Sequence, residues 1–255
     1  MKLISSRDNP LYKSLSALAA DARESRKQGR TLIDGPHLVS AYRRTVGLPE
    51  MLVVSESGQD DGEVQVLIQA HAGIELVLLR DSLFREVSGL VSPVGIIAVI
   101  PIPLQEAAFT GGSCVLLDAV QDAGNLGSIL RTTAAAGIRD VFLGPGCSGA
   151  WSPRVMRAAQ GAHFSLSIRE RVELTSVLRA YSGISLATVV AGGVPISSMD
   201  CSGDVAWLFG SEGRGVDAAL VGLASHAITI PLANDTESLN VAAAAAICLF
   251  KTRIA

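Results

Sequence analysis

Cysteine is scarce in this 255-residue chain: Cys114, Cys147, Cys201 and Cys248 are the only four, and no two of them share a CxxC spacing. Three of them sit in or beside apolar runs. This pattern predicts reduced, mostly buried thiols and no metal site. No uninterrupted apolar run is long enough to cross a bilayer, and no charged-then-apolar leader opens the chain at Met1. The expectation is a soluble, cytoplasmic protein without a membrane partner. Charge is sparse too: charged residues make up 18%, and the net charge of −3 offers no overall basic excess. Internal repeats are absent, and the one low-complexity stretch is the alanine run Ala242 to Ala246, whose default reading is core packing.

What is present is enough apolar sequence, 49%, for two medium domains with cores of their own. Charge is also unevenly placed. Up to Arg44 the chain carries nine basic residues, Arg26, Lys27 and Arg30 among them, against the four acids Asp8, Asp21, Glu24 and Asp34. That end could meet phosphate, or it could be a solvated helix face. Helical spacing from Pro10 to Lys27 is followed by a strand at Thr31 to Ile33, a helix through Leu38, Val39 and Tyr42, and strands at Met51 to Val54, Glu75 to Leu79 and Gly95 to Ile100. Helices at Val64 to Ala70 and Ser82 to Val87 lie between them, so a small α/β domain is predicted. Pro101 and Pro103, then Gly111 and Gly112, bracket a linker, which puts the boundary near residue 108 and gives domains 1–108 and 109–255.

Beyond the linker, strands are expected at Cys114 to Leu117, Asp140 to Leu143, Phe164 to Ile168, Ser185 to Val190, Val205 to Phe209 and Ala227 to Ile230. Helices are expected at Leu126 to Ala136, from Ser152-Pro153 onward, at Leu174 to Ala180, Val216 to Ala224 and Asn240 to Phe250. Apolar strands alternating with helices predict a parallel sheet covered on both faces.

Three segments carry the chemistry. Asn125-Leu126-Gly127-Ser128-Ile129-Leu130-Arg131 opens a helix after a strand, and Gly127 and Arg131 lie four apart on one helix face, leaving room beside the guanidinium. Gly210-Ser211-Glu212-Gly213-Arg214-Gly215 follows the apolar Trp207-Leu208-Phe209, and its glycines let the backbone turn sharply against a ligand. Ile230-Pro231-Leu232 runs on to Ser238-Leu239-Asn240-Val241, where Ser238 could cap the last helix or touch a substrate. Glu212 could equally complement the dipole of the helix starting near Val216. Arg154 and Arg157, three apart after Ser152-Pro153, could grip phosphate as a pair, and His163 reads as a packed histidine. Gly144-Pro145-Gly146-Cys147-Ser148-Gly149, with Glu170 downstream, spells the dinucleotide fingerprint. The start signal at Ser152-Pro153, however, places the helix after the third glycine, whereas that fingerprint needs the glycine inside it.

Together the three segments resemble motifs one, two and three of the SpoU (TrmH) family of RNA ribose 2'-O-methyltransferases. Thr31 to Val39 and Ser92 to Val99 resemble, more weakly, the ribosomal-protein-like substrate-binding domain that precedes many of the family's catalytic domains. The family usually has Gly where this chain has Asn234-Asp235, and a small hydroxyl residue where it has Ala242. The resemblance implies an α/β fold of SPOUT type, a parallel sheet with a C-terminal trefoil knot preceded by a smaller α/β RNA-binding domain, and assembly as a homodimer. It implies S-adenosyl-L-methionine as cofactor, no metal, and RNA as partner and substrate, ribosomal RNA being favoured by the appended domain. Implied catalytic residues are Arg131, Asn125, Glu212, Ser238 and Asn240. Implied cofactor contacts are Leu208, Phe209, Gly210, Glu212 and Gly213, then Ile230, Pro231, Leu232, Ser238 and Leu239, with Thr188 and Val189 from the preceding strand. Implied RNA contacts are Arg154, Arg157, Arg26, Lys27 and Arg30. Arg131 could deprotonate the ribose hydroxyl or, being a permanently protonated guanidinium, orient it and stabilise its alkoxide. The rival readings are a transfer-RNA ribose 2'-O-methyltransferase, a catalytically silent RNA-binding protein of the same fold, and an NAD-dependent oxidoreductase.

Overall fold

A computed structural model of the chain describes residues 2–103, 109, 111–234 and 236–254. The expected boundary at residue 108, like Asp235, lies outside the described residues. The chain divides into two compact units: Met1–Leu104 with Trp151–Phe164, and Gln105–Ala150 with Ser165–Ala255. The first unit is therefore discontinuous in sequence, because the segment opened by Ser152-Pro153 groups with it.

In the first unit, β1 (Lys2–Ile4), α1 (Pro10–Ala20), α2 (Ala22–Gln28), β2 (Arg30–Asp34), α3 (Pro36–Thr45), β3 (Met51–Ser55), α4 (Gly62–Ala70), β4 (Glu75–Leu79), α5 (Asp81–Ser88) and β5 (Ile96–Pro101) follow in chain order. The sheet order is β1-β4-β3-β5-β2, with β1 and β3 parallel to β4 and β5 antiparallel to both of its neighbours. The predicted helix from Pro10 to Lys27 is two helices. Asn9 caps the first, accepting from the Leu11 amide at 2.9 Å, and Asp21 interrupts the run by turning extended and accepting from the Arg23 amide at 2.7 Å. Tyr12, Leu15 and Leu18 pack with Leu32, Val53, Leu79, Phe84 and Ile97 in one core.

The late segment adds α7 (Pro153–Ala159), the Ser152 hydroxyl capping it, to this unit. The Thr31 hydroxyl donates to the Trp151 carbonyl at 2.5 Å, and Tyr42 meets Phe164 edge-on at 5.3 Å. Arg157 donates to the Ser88 carbonyl at 3.0 Å and pairs at 3.4 Å with Asp34, whose side chain is 4% exposed. Burial pushes the Asp34 carboxyl above its ordinary value, against the opposing pulls of the Ser88 hydroxyl and Arg157.

The second unit contains β6 (Cys114–Asp118), α6 (Ala123–Ala135), β7 (Asp140–Leu143), β8 (Ser167–Glu170), α8 (Leu174–Ala180), β9 (Ile184–Thr188), β10 (Val194–Pro195), β11 (Val205–Gly210), α9 (Ala218–Leu223), β12 (His226–Thr229) and α10 (Val241–Ile254). Every pairing in its seven-stranded sheet, ordered β10-β12-β9-β11-β6-β7-β8, is parallel. Side chains alternate across the sheet. Cys114, Leu116, Ala206 and Leu208 face a core with Leu174, Leu178 and Leu220. Val115, Leu117, Trp207 and Phe209, all fully buried, take the opposite face, and α10 packs against both α6 and β11. Two-sided burial is what the continuous apolar runs imply. The strand expected at Phe164 to Ile168 begins only at Ser167, because Ala162–Ser165 turns as a 3-10 helix.

Candidate active site

The three motifs lie at the carboxyl ends of β6, β11 and β12, the edge where parallel α/β sheets receive ligands. Gly210 ends β11. A β-carbon added there would lie 1.9 Å from the Gly215 carbonyl carbon and 2.1 Å from the Val216 nitrogen, so only glycine lets the loop fold back against the strand. The loop closes on itself: the Gly215 amide donates to the Ser211 carbonyl at 2.8 Å, and the Ser211 amide returns a bond to the Gly215 carbonyl at 3.2 Å. Its base is tied to β6, the Asp217 amide donating to Asp118 at 2.8 Å. Asp217 also caps α9, so the helix starts two residues later than expected and Glu212 is left for other work.

That work is visible in one chain of hydrogen bonds. The Asn240 Oδ1 accepts from the Ala242 and Ala243 amides at 2.9 and 3.3 Å, which makes Asn240, and not Ser238, the cap of α10. Because an amide N–H can only donate, the Asn240 Nδ2 must face the other way, and it donates to the Asn125 Oδ1 at 2.8 Å. Asn125 Nδ2 then donates to Glu212 Oε1 at 2.6 Å. Asn125 is itself fixed by Asp122, the cap of α6, whose side chain accepts its amide at 2.7 Å. One residue from each motif is thus joined in a relay with fixed donor direction, ending on a carboxylate.

Beside that carboxylate lies a cavity of about 590 Å³, within the range of small-molecule sites. Of the expected cofactor contacts, Thr188, Val189, Gly210, Glu212, Gly213, Ile230, Leu232, Ser238 and Leu239 line it. Leu208 and Phe209 instead point into the two cores and Pro231 is absent from the lining; the Leu208 carbonyl accepts from the Thr188 hydroxyl at 2.9 Å. Val190, Arg214, Val216 and Glu237, not among the expected contacts, also line the cavity. Val190 lies two residues past the end of β9, Arg214 stands inside the glycine-rich segment, and Val216 and Glu237 flank motif residues whose neighbours could have been taken with them. Backbone groups, a carboxylate and apolar side chains together fit a molecule with an apolar ring system and a polar tail, as S-adenosylmethionine has.

Arg131 is exposed on α6, four residues beyond the buried Gly127, with no acidic partner among the described residues. Arg154 is exposed at the start of α7, whereas Arg157 is committed to Asp34 and Ser88, so the two do not form the matched pair their spacing implied. Lys27 pairs with Glu24 at 3.7 Å and Arg30 with Glu50 at 3.1 Å, and Arg26 is also partnered. His163, 2% exposed, packs against Trp151. Gly144 to Gly149 serves as a brace: the Gly144 amide and the Cys147 thiol donate to the Leu117 carbonyl, and the Ser148 amide to that of Val120. Its third glycine precedes α7, unlike a dinucleotide loop. No group of three or more potential metal ligands occurs among the described residues, and no described helix is long and apolar enough to cross a membrane.

Residues 112–250 match the SpoU rRNA Methylase family. Over 255 residues the chain is 34% identical to the 23S rRNA (guanosine(2553)-2'-O)-methyltransferase RlmP of Bacillus subtilis (strain 168), spanning 99% of this chain and 100% of that protein. The structure of an AdoMet-bound rRNA methyltransferase from Sinorhizobium meliloti is 27% identical with a TM-score of 0.82, covering 99% of this chain and 97% of that one. An RNA 2'-O ribose methyltransferase structure aligns over 100% of both chains at 26% identity and a TM-score of 0.83. The relay, the loop that shapes the cavity and these matches lead to one conclusion: the chain belongs to the SpoU rRNA methylase family.

Proposed function

We propose that the protein methylates a ribose 2'-hydroxyl in ribosomal RNA, using S-adenosylmethionine. The observation that carries this reading is the relay from Asn240 through Asn125 to Glu212, beginning on one cap and ending at the cavity wall. Bound S-adenosylmethionine supplies an electrophilic methyl group. The Gly210 to Gly213 loop, Ile230, Leu232, Ser238 and Leu239 would hold it, with Thr188 and Val189 closing the floor. Arg131, always cationic, grips the phosphate beside the target ribose, orients the 2'-hydroxyl and stabilises negative charge on that oxygen as its proton passes to solvent and the methyl group is transferred. Asn125 holds Glu212 in one orientation, so the carboxylate does not swing into the space the ribose needs. Ribosomal RNA is preferred over transfer RNA because the Bacillus subtilis relative, matched over its full length, is named for its action on 23S rRNA.

The reading assigns substrate binding to the N-terminal domain together with Trp151–Phe164, and catalysis to the remainder. It includes the C-terminal knot, a homodimer and action in the cytoplasm. The apolar outer side of α10, where Ile247 is 45% exposed beside the alanine run, supports the homodimer. Titration calorimetry with S-adenosylmethionine tests the reading, with a dissociation constant on the order of micromolar expected. Mapping of ribose methylation on rRNA from cells lacking the protein tests the substrate. Binding of NAD without binding of the methyl donor would overturn it.

A further inference from the structure

The cofactor cavity is walled on one side by an unbroken stretch of chain. Every residue from Gly210 to Val216 lines it, so the position of this loop sets the shape of the site. Motif one holds the loop at two points. Asn125 donates to Glu212 at 2.6 Å, and Asp118 accepts at 2.8 Å from the amide of Asp217, the first residue past the lining. Asp118 also stands opposite Gly210 in the register of β6 and β11. The loop's entrance thus neighbours the Asp118 backbone while its exit is bound by the Asp118 side chain, and both ends are pinned to one residue.

That residue sits on a rigid mount. Ala119 follows it with a φ of 54°, in the left-handed region that a β-carbon makes unfavourable, and such a conformation persists only where its surroundings impose it. Here they do. Gly146 lies so close that a β-carbon on it would come within 3.2 Å of the Ala119 Cβ, and the Ser148 amide donates to the Val120 carbonyl at 2.9 Å. The chain leaves this turn through Asp122, which caps α6 and accepts the Asn125 amide at 2.7 Å. A closed circuit results, running from Asp118 through the loop to Glu212, on to Asn125 and Asp122, and back along the braced turn to Asp118. Asp118 itself lies outside the cavity lining, so its effect on a ligand passes through the loop.

We infer that Asp118 is a positioning residue for cofactor binding: its carboxylate clamps the exit of the 210–216 loop, so that the cavity wall is formed before the methyl donor arrives. The inference rests on the S-adenosylmethionine reading above. A preformed wall leaves the ligand little to order on binding. A released wall must be reclosed by the ligand, which lowers affinity in proportion to the fraction of molecules in the closed form. The two grips therefore have different work. Asn125 holds the carboxylate at the reacting centre, and its loss is read in the rate; Asp118 holds the base of the wall, and its loss is read in the affinity.

The test is titration calorimetry of the full chain with S-adenosylmethionine, folding of each variant being checked by circular dichroism. Native protein must first bind the cofactor; if it does not, the cofactor reading fails and the clamp is not what failed. Given binding, Asp118→Ala is expected to raise the dissociation constant about tenfold, the equivalent of one net hydrogen bond. Asp118→Asn keeps an acceptor oxygen at the same reach and should bring affinity back to within about threefold of native. Asp217→Pro deletes the donor from the other side, at a residue whose φ of −56° proline accepts, and carries the test should Asp118→Ala fail to fold. Its loss of the α9 cap is read separately, as lowered stability. Because both changes remove the same bond, the double variant should bind no more weakly than the weaker single one. Native affinity in folded Asp118→Ala or, failing that variant, in folded Asp217→Pro would overturn the inference. So would Asp118→Asn binding as weakly as Asp118→Ala, or losses that add in the double variant, since Asp118 would then act through something other than this bond.

Discussion

Gly210→Ala tests the cavity wall most directly, since the structure fixes where the new methyl group must go. The added carbon would lie 1.9 Å from the Gly215 carbonyl carbon, and ordinary contact begins near 3.4 Å, so the loop must retreat by about 1.5 Å. No flexible side chain can yield there, because the three nearest atoms are all backbone. Retreat breaks the two Ser211–Gly215 hydrogen bonds, each worth about 1 kcal/mol net, on top of an overpacking cost of about 1–3 kcal/mol. A loss of about 3–5 kcal/mol follows for the closed loop. If the chain stays folded with the loop open, cofactor binding must first reclose it, and the dissociation constant should rise at least a hundredfold. Gly213→Ala is the control: nothing lies within 4 Å of its added carbon, so stability should change by less than about 0.5 kcal/mol. Urea unfolding and titration calorimetry on both variants supply the measurements. Native cofactor affinity in Gly210→Ala would refute the claim that the folded-back loop forms the cofactor site.

Arg131→Lys keeps the charge and loses the planar pair of donors, so single-turnover methylation should fall about a hundredfold or more while S-adenosylmethionine affinity barely moves. A folded variant with a near-native rate would reduce Arg131 to a surface arginine. Asn125→Ala removes the centre of the relay and leaves Glu212 and Asn240 without their shared partner; a tenfold to hundredfold lower rate is expected, with melting temperature within a few degrees because all three groups are partly solvated. Burial pushes the Cys114 and Cys248 thiols up to about 12, whereas in the unfolded chain they ionise near their ordinary value. Their folded values being raised, the stability they contribute is complete below about pH 9 and is lost as pH climbs toward 12, at about 1.4 kcal/mol per pH unit for each thiol. Denaturant midpoints between pH 8 and 10.5 should show this decline, shallower in Cys248→Ala, and an unchanged slope in that variant would count against the burial argument.

Periodicity made most of the framework legible. Glu75–Leu79, Asp140–Leu143 and Leu174–Ala180 coincide with the expected elements, because each is an apolar run or a 3.6-residue pattern between clear breakers. At two positions a local hydrogen bond overrules propensity. Asp21 looks like one more polar helix residue until its side chain captures the Arg23 amide, and Ser238 looks like a cap until Asn240 takes that position. Strands β1 and β10, of three and two residues, are too short to show alternation. Of the site, the three motifs were readable as residues, but their joining was not. Asn125 and Asn240 stand 115 positions apart, and Arg157 lies 123 from Asp34. No local pattern announces that one arginine of a spaced pair will be consumed by a buried carboxylate.

The interrupted layout of the first unit bears on how the protein is made. Val155, Met156 and Ala159 are fully buried and belong to a unit whose other residues end at Leu104. During vectorial synthesis that earlier stretch emerges first, yet its packing stays incomplete until Phe164 has also left the ribosome, by which time β6, α6 and β7 have been translated as well. The first unit therefore cannot be finished before the second is begun. A protein cut after residue 104 would strand α7 with its apolar side in water, so exchange of the first unit between relatives requires two grafts, one at the N-terminus and one in the middle of the gene.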